Sequence, residues 1–275
     1  MGQPDWAEKL RRSATGEGLF VVAGVGSGIT AKGAAAGGAD VLAVYNTAVY
    51  RILGLPTALA FLPYDDCNAL TLEAAPQILA QAGSTPVLLG FGVHDPRRKI
   101  DELLDHAQRL GAAGVTAEPF IGIYSDDIRA QLEAAGLGFS REVAFIEAAV
   151  RRGMLALGWA FTSDEARRMA EAGAQLVGAM VGVTAGGSAG GAAVISREET
   201  YDKISAMARA AKRINPDCLV LGHGGPLNDR ESVAEAIEYT GMDGYVTGST
   251  GERVPVEKAV AEAIRGFKSA RGGRQ

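Results

Sequence analysis

The 275-residue chain has little of what marks several protein classes. It has two cysteines, Cys67 and Cys218, far apart and outside any C-x-x-C pair. That pattern gives no disulfide framework and points to a reducing, cytoplasmic setting. Aromatic residues make up only 6% of the chain, and there are three histidines. The net charge is −5 and no Lys/Arg stripe stands out. A nucleic-acid partner is therefore not expected. No apolar run reaches the roughly 18 residues of a membrane span. The opening "MGQPDWAEKLRRSATGEG" is polar and has no apolar core for a secretory leader. No Pro/Ser-rich or charged linker divides the chain. One domain over 1–275 is expected, with 1–17 as an N-terminal extension and 268–275 as a flexible tail.

What is abundant is glycine, at 37 residues, together with short apolar runs. Eight of these read as strands: 19–24, 41–46, 86–92, 114–119, 154–161, 175–182, 218–224 and 243–249. Each is nearly continuously apolar, as parallel strands covered on both faces must be. Amphipathic stretches alternate with them. In "IDELLDHAQRL", Ile100, Leu103, Leu104, Ala107 and Leu110 share one helix face. Thr162 stands three residues before Glu165, a capping-box spacing. A helix stop leading into a strand recurs at Gly37, Gly111, Gly173 and Gly241. The spacing fits two βα units of roughly 34 residues each per interval. Length and pattern predict an α/β fold, the (β/α)8 TIM barrel. The rival is an open doubly wound sheet with its Gly-rich turn at "GVGSGITAKG".

In a parallel barrel the chemistry sits at the carboxyl ends of the strands and in the loops that follow. After strand one, Gly24, Gly26 and Gly28 form either a tight turn or an anion site of exposed amides. The next strand ends "AVYN", without an acidic residue, so no dinucleotide or flavin is expected. After Asn46 the chain runs from 47 to 70 before the next helical pattern. Connections this long are often functional. This one gathers Tyr50, Arg51, Tyr64, Asp65, Asp66 and Asn68. Arg51 suits a carboxylate or phosphate, and Asp65 with Asp66 suits Mg2+. Alternatively, Arg51 ties the loop down through an Asp and Asp66 caps the next helix. His94 and Asp95 follow strand three, with Asp95 before Pro96 a candidate helix cap. Glu118 ends strand four, either as a general acid or base or as an ion-paired strand end. The stretch 182–193 holds Thr184, Gly186, Gly187 and Ser188, which read as a lid, an anion cradle or a spacer. His223, Gly224, Gly225, Gly248 and Ser249 fall on the loops after strands seven and eight, where such barrels often bind phosphate.

Taken in order, "GSGITAK", "YNTAVYR", "LPYDDCNA", "TAGGSAG", "GHGGP" and "ERVPVE" resemble the phosphoenolpyruvate-hydrolase-like TIM-barrel family. That family is similar to the isocitrate-lyase and phosphoenolpyruvate-mutase superfamily. The resemblance implies an enzyme that hydrolyses or cleaves a C–C or C–O bond of a small anionic oxo-acid, with Mg2+ at Asp65 and Asp66. Glu118, His223 and His94 would move protons. Asn46, Arg51, Tyr64, Asn68 and the Gly-rich loops would hold the substrate. The chain departs from the family pattern at Ala117, Glu118 and Met180. Two alternatives stand beside this reading: a metal-independent phosphate-binding lyase or isomerase, and a non-catalytic sensing or interaction barrel. Ala-rich helices are compatible with symmetric assembly, and a homo-oligomer is expected.

Overall fold

Each of the eight apolar runs becomes a strand, trimmed by a residue or more at its ends. The computed structural model describes Trp6, Leu10 and residues 18–185 and 195–270. In chain order the elements begin β1 (Phe20–Gly24), α1 (Gly28–Ala36), β2 (Val41–Val44), α2 (Asn46–Ile52), α3 (Cys67–Gln81) and β3 (Val87–Phe91). They continue with α4 (Ile100–Leu110), β4 (Gly114–Ala117), α5 (Asp126–Ala134), α6 (Phe139–Arg151), β5 (Leu155–Ala160) and α7 (Ser163–Glu171). The last are β6 (Leu176–Met180), α8 (Arg197–Ile214), β7 (Leu219–His223), α9 (Arg230–Thr240), β8 (Gly244–Thr247) and α10 (Arg253–Ser269). The connection expected as one long loop after Asn46 instead holds α2 and a 3-10 turn, Thr57–Phe61. Asn46, Glu118, Gly248 and Ser249 lie just past the last paired residue of their strands. That places them on the carboxyl rim.

The strands are parallel and pair in sequence order, and β8 closes back onto β1. The register puts Phe20 opposite Gly244 and Val22 opposite Val41. The open-sheet rival is thereby excluded. Side chains alternate between two cores, as the strand period of two requires. Leu88, Leu155, Leu157, Trp159 and Leu221 pack inside the barrel. Leu89, Ala156, Ala160 and Val220 pack outward against the helices. Trp6 and Leu10, within the expected extension, are buried against the inner cluster. Gly178 leaves room for the largest inner side chain, because a Cβ there would stand 2.4 Å from the Trp159 ring.

Local capping follows the expected chemistry in part. Thr162 accepts from the Glu165 amide at 3.2 Å, but the Glu165 carboxylate turns to the Phe161 amide at 2.7 Å. Asp95 does not cap a helix. It makes a turn with the Arg97 amide at 2.9 Å, and α4 starts later at Ile100. The expected tail overlaps α10, which runs to Ser269. Of α10 only Arg253 is buried, and Val256, Val260, Ile264 and Phe267 are exposed. No helix among the described residues is long and apolar enough to cross a membrane.

One buried carboxyl makes stability depend on pH. Glu142 on α6 is 2% exposed and accepts from the Ile121 amide at 2.8 Å. Burial, reinforced by nearby Glu165, pushes it from the ordinary 4.5 up to about 8. A carboxyl with a raised folded pKa contributes stability below its unfolded pKa. That stability is lost as pH rises through the folded value. Glu142→Gln keeps the oxygen acceptor and removes the titration. Its thermal midpoint relative to the parent is expected to climb between pH 5 and pH 9. A flat difference across that range would contradict the assignment.

Candidate active site

Three rim residues from distant parts of the chain meet over the inner core. Arg51, on α2, is 5% exposed. Its Nη1 donates to Glu252 Oε2 at 3.0 Å, and its Nε to Thr57 Oγ1 at 3.2 Å. Glu252, just before α10, is fully buried. Glu118, just past β4, is 3% exposed and accepts from Thr47 Oγ1 at 2.5 Å. The Arg51 guanidinium thus faces two carboxyls where water is scarce, with Arg253, 2% exposed, also acting on Glu252. Burial alone would lower the Arg51 pKa, but Glu252, Tyr45 and Glu118 outweigh it and keep the guanidinium charged. Burial pushes Glu118 up to about 7, against the opposing pull of the Thr47 bond and Arg51. Burial also pushes Glu252 up to about 7, against Arg51. Glu118 Oε2 and Glu252 Oε1 have no hydrogen-bond partner among the described residues.

His223 ends β7 beside them. Its Nδ1 lies 2.8 Å from the Val246 carbonyl. A carbonyl only accepts, so Nδ1 carries the proton and Nε2 keeps its lone pair. Burial, with Arg51 adding to it, lowers the ring to about 4, so His223 is neutral at pH 7. The ring meets Trp159 edge-on, with centroids 5.3 Å apart. Glycine is required at 248: a Cβ there would stand 2.9 Å from His223 Cε1 and 3.3 Å from Arg51 Nη2. Thr184 and Ser249, both buried, complete the polar wall, with Phe61, Ile123 and Met180 as apolar wall. The chamber encloses about 20 Å³. That holds one water, so an oxo-acid enters only when the wall moves.

The other expected site residues fall elsewhere. Asn46 and His94 line a separate open cleft with Asp65. Tyr64 is 69% exposed and lines neither space. Asn68 is fully buried, and its side-chain amide bonds both backbone groups of Gly92, tying α3 to the end of β3. Gly26 lies against the α2 backbone, where a Cβ would stand 2.2 Å from the Ala48 carbonyl oxygen. Gly28 opens α1 behind the Ser27 cap. Gly224 and Gly225 have positive φ and pack on Gly182 and Val181, and the Gly225 amide already bonds the Gly182 carbonyl. All four glycines sit in turns or at close backbone contacts. Ala117 faces the helix layer, whereas Met180 borders the chamber. Gly186, Gly187 and Ser188 lie outside the described residues.

The Mg2+ pair does not fit. Asp66 caps α3 through the Asn68 and Ala69 amides and pairs with Arg98 at 2.5 Å. Asp65 accepts from the Tyr50 hydroxyl. Among the described residues no group of three or more His, Cys, Asp or Glu side chains is placed to hold a metal. The sequence reading missed Glu252, Thr47, Thr57, Tyr45 and Trp159. Glu252 had a visible signal, as a carboxylate closing the Gly-rich loop after strand eight.

A (β/α)8 barrel with a shielded acid–base cluster at its carboxyl rim is the class these features define. The phosphoenolpyruvate hydrolase-like family matches residues 5–270, and the chain belongs to it. The chain is 38% identical over 263 residues to the tomato (Solanum lycopersicum) ToMV susceptible protein tm-1(GCR26) and to ToMV resistance protein Tm-1(GCR237). The match covers 95% of this chain but 35% of each relative, so the chain spans about a third of their length. Among solved structures, a 2,3-dimethylmalate lyase of the PEP mutase/isocitrate lyase superfamily is similar at TM-score 0.59 and 18% identity. That likeness covers 98% of this chain and 90% of the other. An oxaloacetate acetylhydrolase is similar at TM-score 0.61 and 17% identity, over 98% and 89% of the two chains. At these identities the solved structures support the fold alone.

Arg51→Met leaves Glu252 and Glu118 buried without their counter-charge. The expected loss is roughly 3–5 kcal/mol. The loss grows as pH rises through 7, because both carboxyls must then ionise unpaired. Adding Glu252→Gln recovers much of it. Thermal midpoints of the single and double variants from pH 5 to pH 9 check this.

Proposed function

We propose that this barrel is an enzyme that hydrolyses or cleaves a C–C or C–O bond beside the carbonyl of a small anionic oxo-acid. The observation behind this is Glu118, held near neutrality in a shielded chamber that also contains Arg51 and a neutral His223. A group with a pKa near the working pH both takes and returns protons efficiently. Ionised Glu118 would accept a proton from a substrate hydroxyl or from water. Protonated Glu118 would return it to the enolate carbon. Arg51 would stabilise the carboxylate and the developing enolate charge, in a space where water does not screen it. Its Nη1 and Nε are held by Glu252 and Thr57, which fixes the plane of the guanidinium at the chamber wall. His223 Nε2 would accept a hydrogen bond without becoming charged. The lyase and hydrolase names of the structural neighbours are compatible with this reading.

A second reading is supported by the tomato relatives, whose names describe resistance and susceptibility and no reaction. In that reading the barrel senses or binds. The two separate by pH and by Glu118. An enzyme should give a kcat/KM profile with an inflection near pH 7 that Glu118→Gln abolishes. Binding of an oxo-acid without turnover, in both proteins, would favour the sensor. No thermal stabilisation by any member of an oxo-acid and phosphate panel would remove the small-molecule reading.

We also read the chain as self-associating. The exposed stripe Val256, Val260, Ile264 and Phe267 on α10 supports this, since apolar rows of that kind mark contact surfaces. Light scattering should give a multiple of the 28.4 kDa chain, and Val260→Glu with Phe267→Glu should reduce it to one.

A further inference from the structure

Beside the chamber lies a second space that the acid–base cluster does not use. It is an open cleft of about 420 Å³ among the loops after β2, β3 and β4. The two spaces touch at neighbouring residues. Asn46 lines the cleft, while Thr47 bonds Glu118. Pro119 lines the cleft, while Glu118 lines the chamber. Phe61 lines both, and its ring lies 5.4 Å from that of Phe120 in the chamber wall. A turn of the Phe61 side chain would join the two spaces into one bipartite site.

The chemistry of the cleft selects against a second anion. Arg97 at its edge is already bonded in two-pronged fashion to Asp95, both contacts at 2.9 Å. Among the described residues Asp65 pairs with no cation and accepts from the Tyr50 hydroxyl. The charges lining the cleft therefore sum to a negative value, with His94 and Cys67 neutral. Burial lowers the His94 pKa and raises the Cys67 thiol to about 11. One polar atom at the cleft asks for a donor: Asn46, 2% exposed, gives its amide N–H to the Ala60 carbonyl and leaves its Oδ1 without a partner among the described residues. The remaining wall is apolar, from Leu62, Ile128 and Leu132. A cavity of about 150 Å³ takes a benzene ring, so the cleft has room for a ring and its substituent, which a methyl group leaves unfilled.

We propose that this cleft is the subsite for the distal part of the substrate, and that it takes a non-anionic, ring-sized group bearing a hydroxyl or N–H donor, not a phosphate. The inference rests on the oxo-acid reading of the chamber. The substrate class is then an aryl-substituted 2-oxo acid, larger than pyruvate and unphosphorylated.

Calorimetric titration of the full chain with pyruvate, an aryl 2-oxo acid, its 4-hydroxyaryl analogue and phosphoenolpyruvate tests this. The hydroxyaryl compound is expected to bind at least tenfold tighter than pyruvate, with phosphoenolpyruvate no tighter than pyruvate. Ile128→Trp fills the cleft from a position 46% exposed on α5, and so does not disturb the core. It should abolish the aryl advantage and leave pyruvate binding unchanged. Pyruvate binding without an aryl gain, an aryl gain that survives Ile128→Trp, or tightest binding of phosphoenolpyruvate would overturn the subsite and spare the chamber. Failure of every oxo-acid to bind would remove both readings together.

Discussion

Everything at the rim depends on one buried cation. Arg51 comes from the helix after β2, Glu252 from the segment after β8, and Glu118 from the end of β4. None of the three would be stable in that place alone, because an isolated buried charge costs several kcal/mol. Together they set the Arg51 charge against two acids, with the neighbouring Arg253 acting on Glu252. That arrangement is satisfied with one carboxylate ionised and is poised to release a second proton near neutrality. The same ion pair ties the last helix to the second one, so the acid–base cluster is also a structural clasp.

Closure of the barrel is what makes such a cluster possible. A closed parallel sheet has no edge, and its inner layer, with Leu88, Leu157 and Trp159, excludes water beneath the rim. Trp159 then presents its edge to His223, which burial keeps neutral. The hydrophobic core thus sets the protonation state of the polar layer above it. The division into a tight charged chamber and a wider neutral cleft follows from the same scaffold. Adjacent residues at the rim point different ways: Asn46 and Pro119 line the cleft, while Thr47 bonds Glu118 and Glu118 lines the chamber.

The eight strands were legible because parallel strands covered on both faces leave continuous apolar runs. Their order was legible through the repeat. Glu118 and His223 were legible as polar residues at strand ends, and Arg51 as a cation on the long connection after strand two, where a barrel gathers its chemistry. Other expectations failed for identifiable reasons. Asp65 and Asp66 are adjacent in the chain, yet one serves a tyrosine and the other a helix cap and Arg98. Asn68 looks like a ligand residue but satisfies the backbone of Gly92. The glycines at 224 and 225 are explained by positive φ and close packing, which a glycine-rich pattern does not distinguish from an anion cradle.

By itself the sequence determined the fold class, the strand count and the end of the barrel where polar residues collect. Those follow from local periodicity, which short-range physics writes into the chain. Only the tertiary structure decided that Arg51 pairs with a residue 201 positions away, that His94 belongs to the cleft and not the chamber, and which carboxyls titrate near neutrality. Ion pairing and desolvation depend on distance in space and on exclusion of water. Neither quantity exists until the barrel has closed.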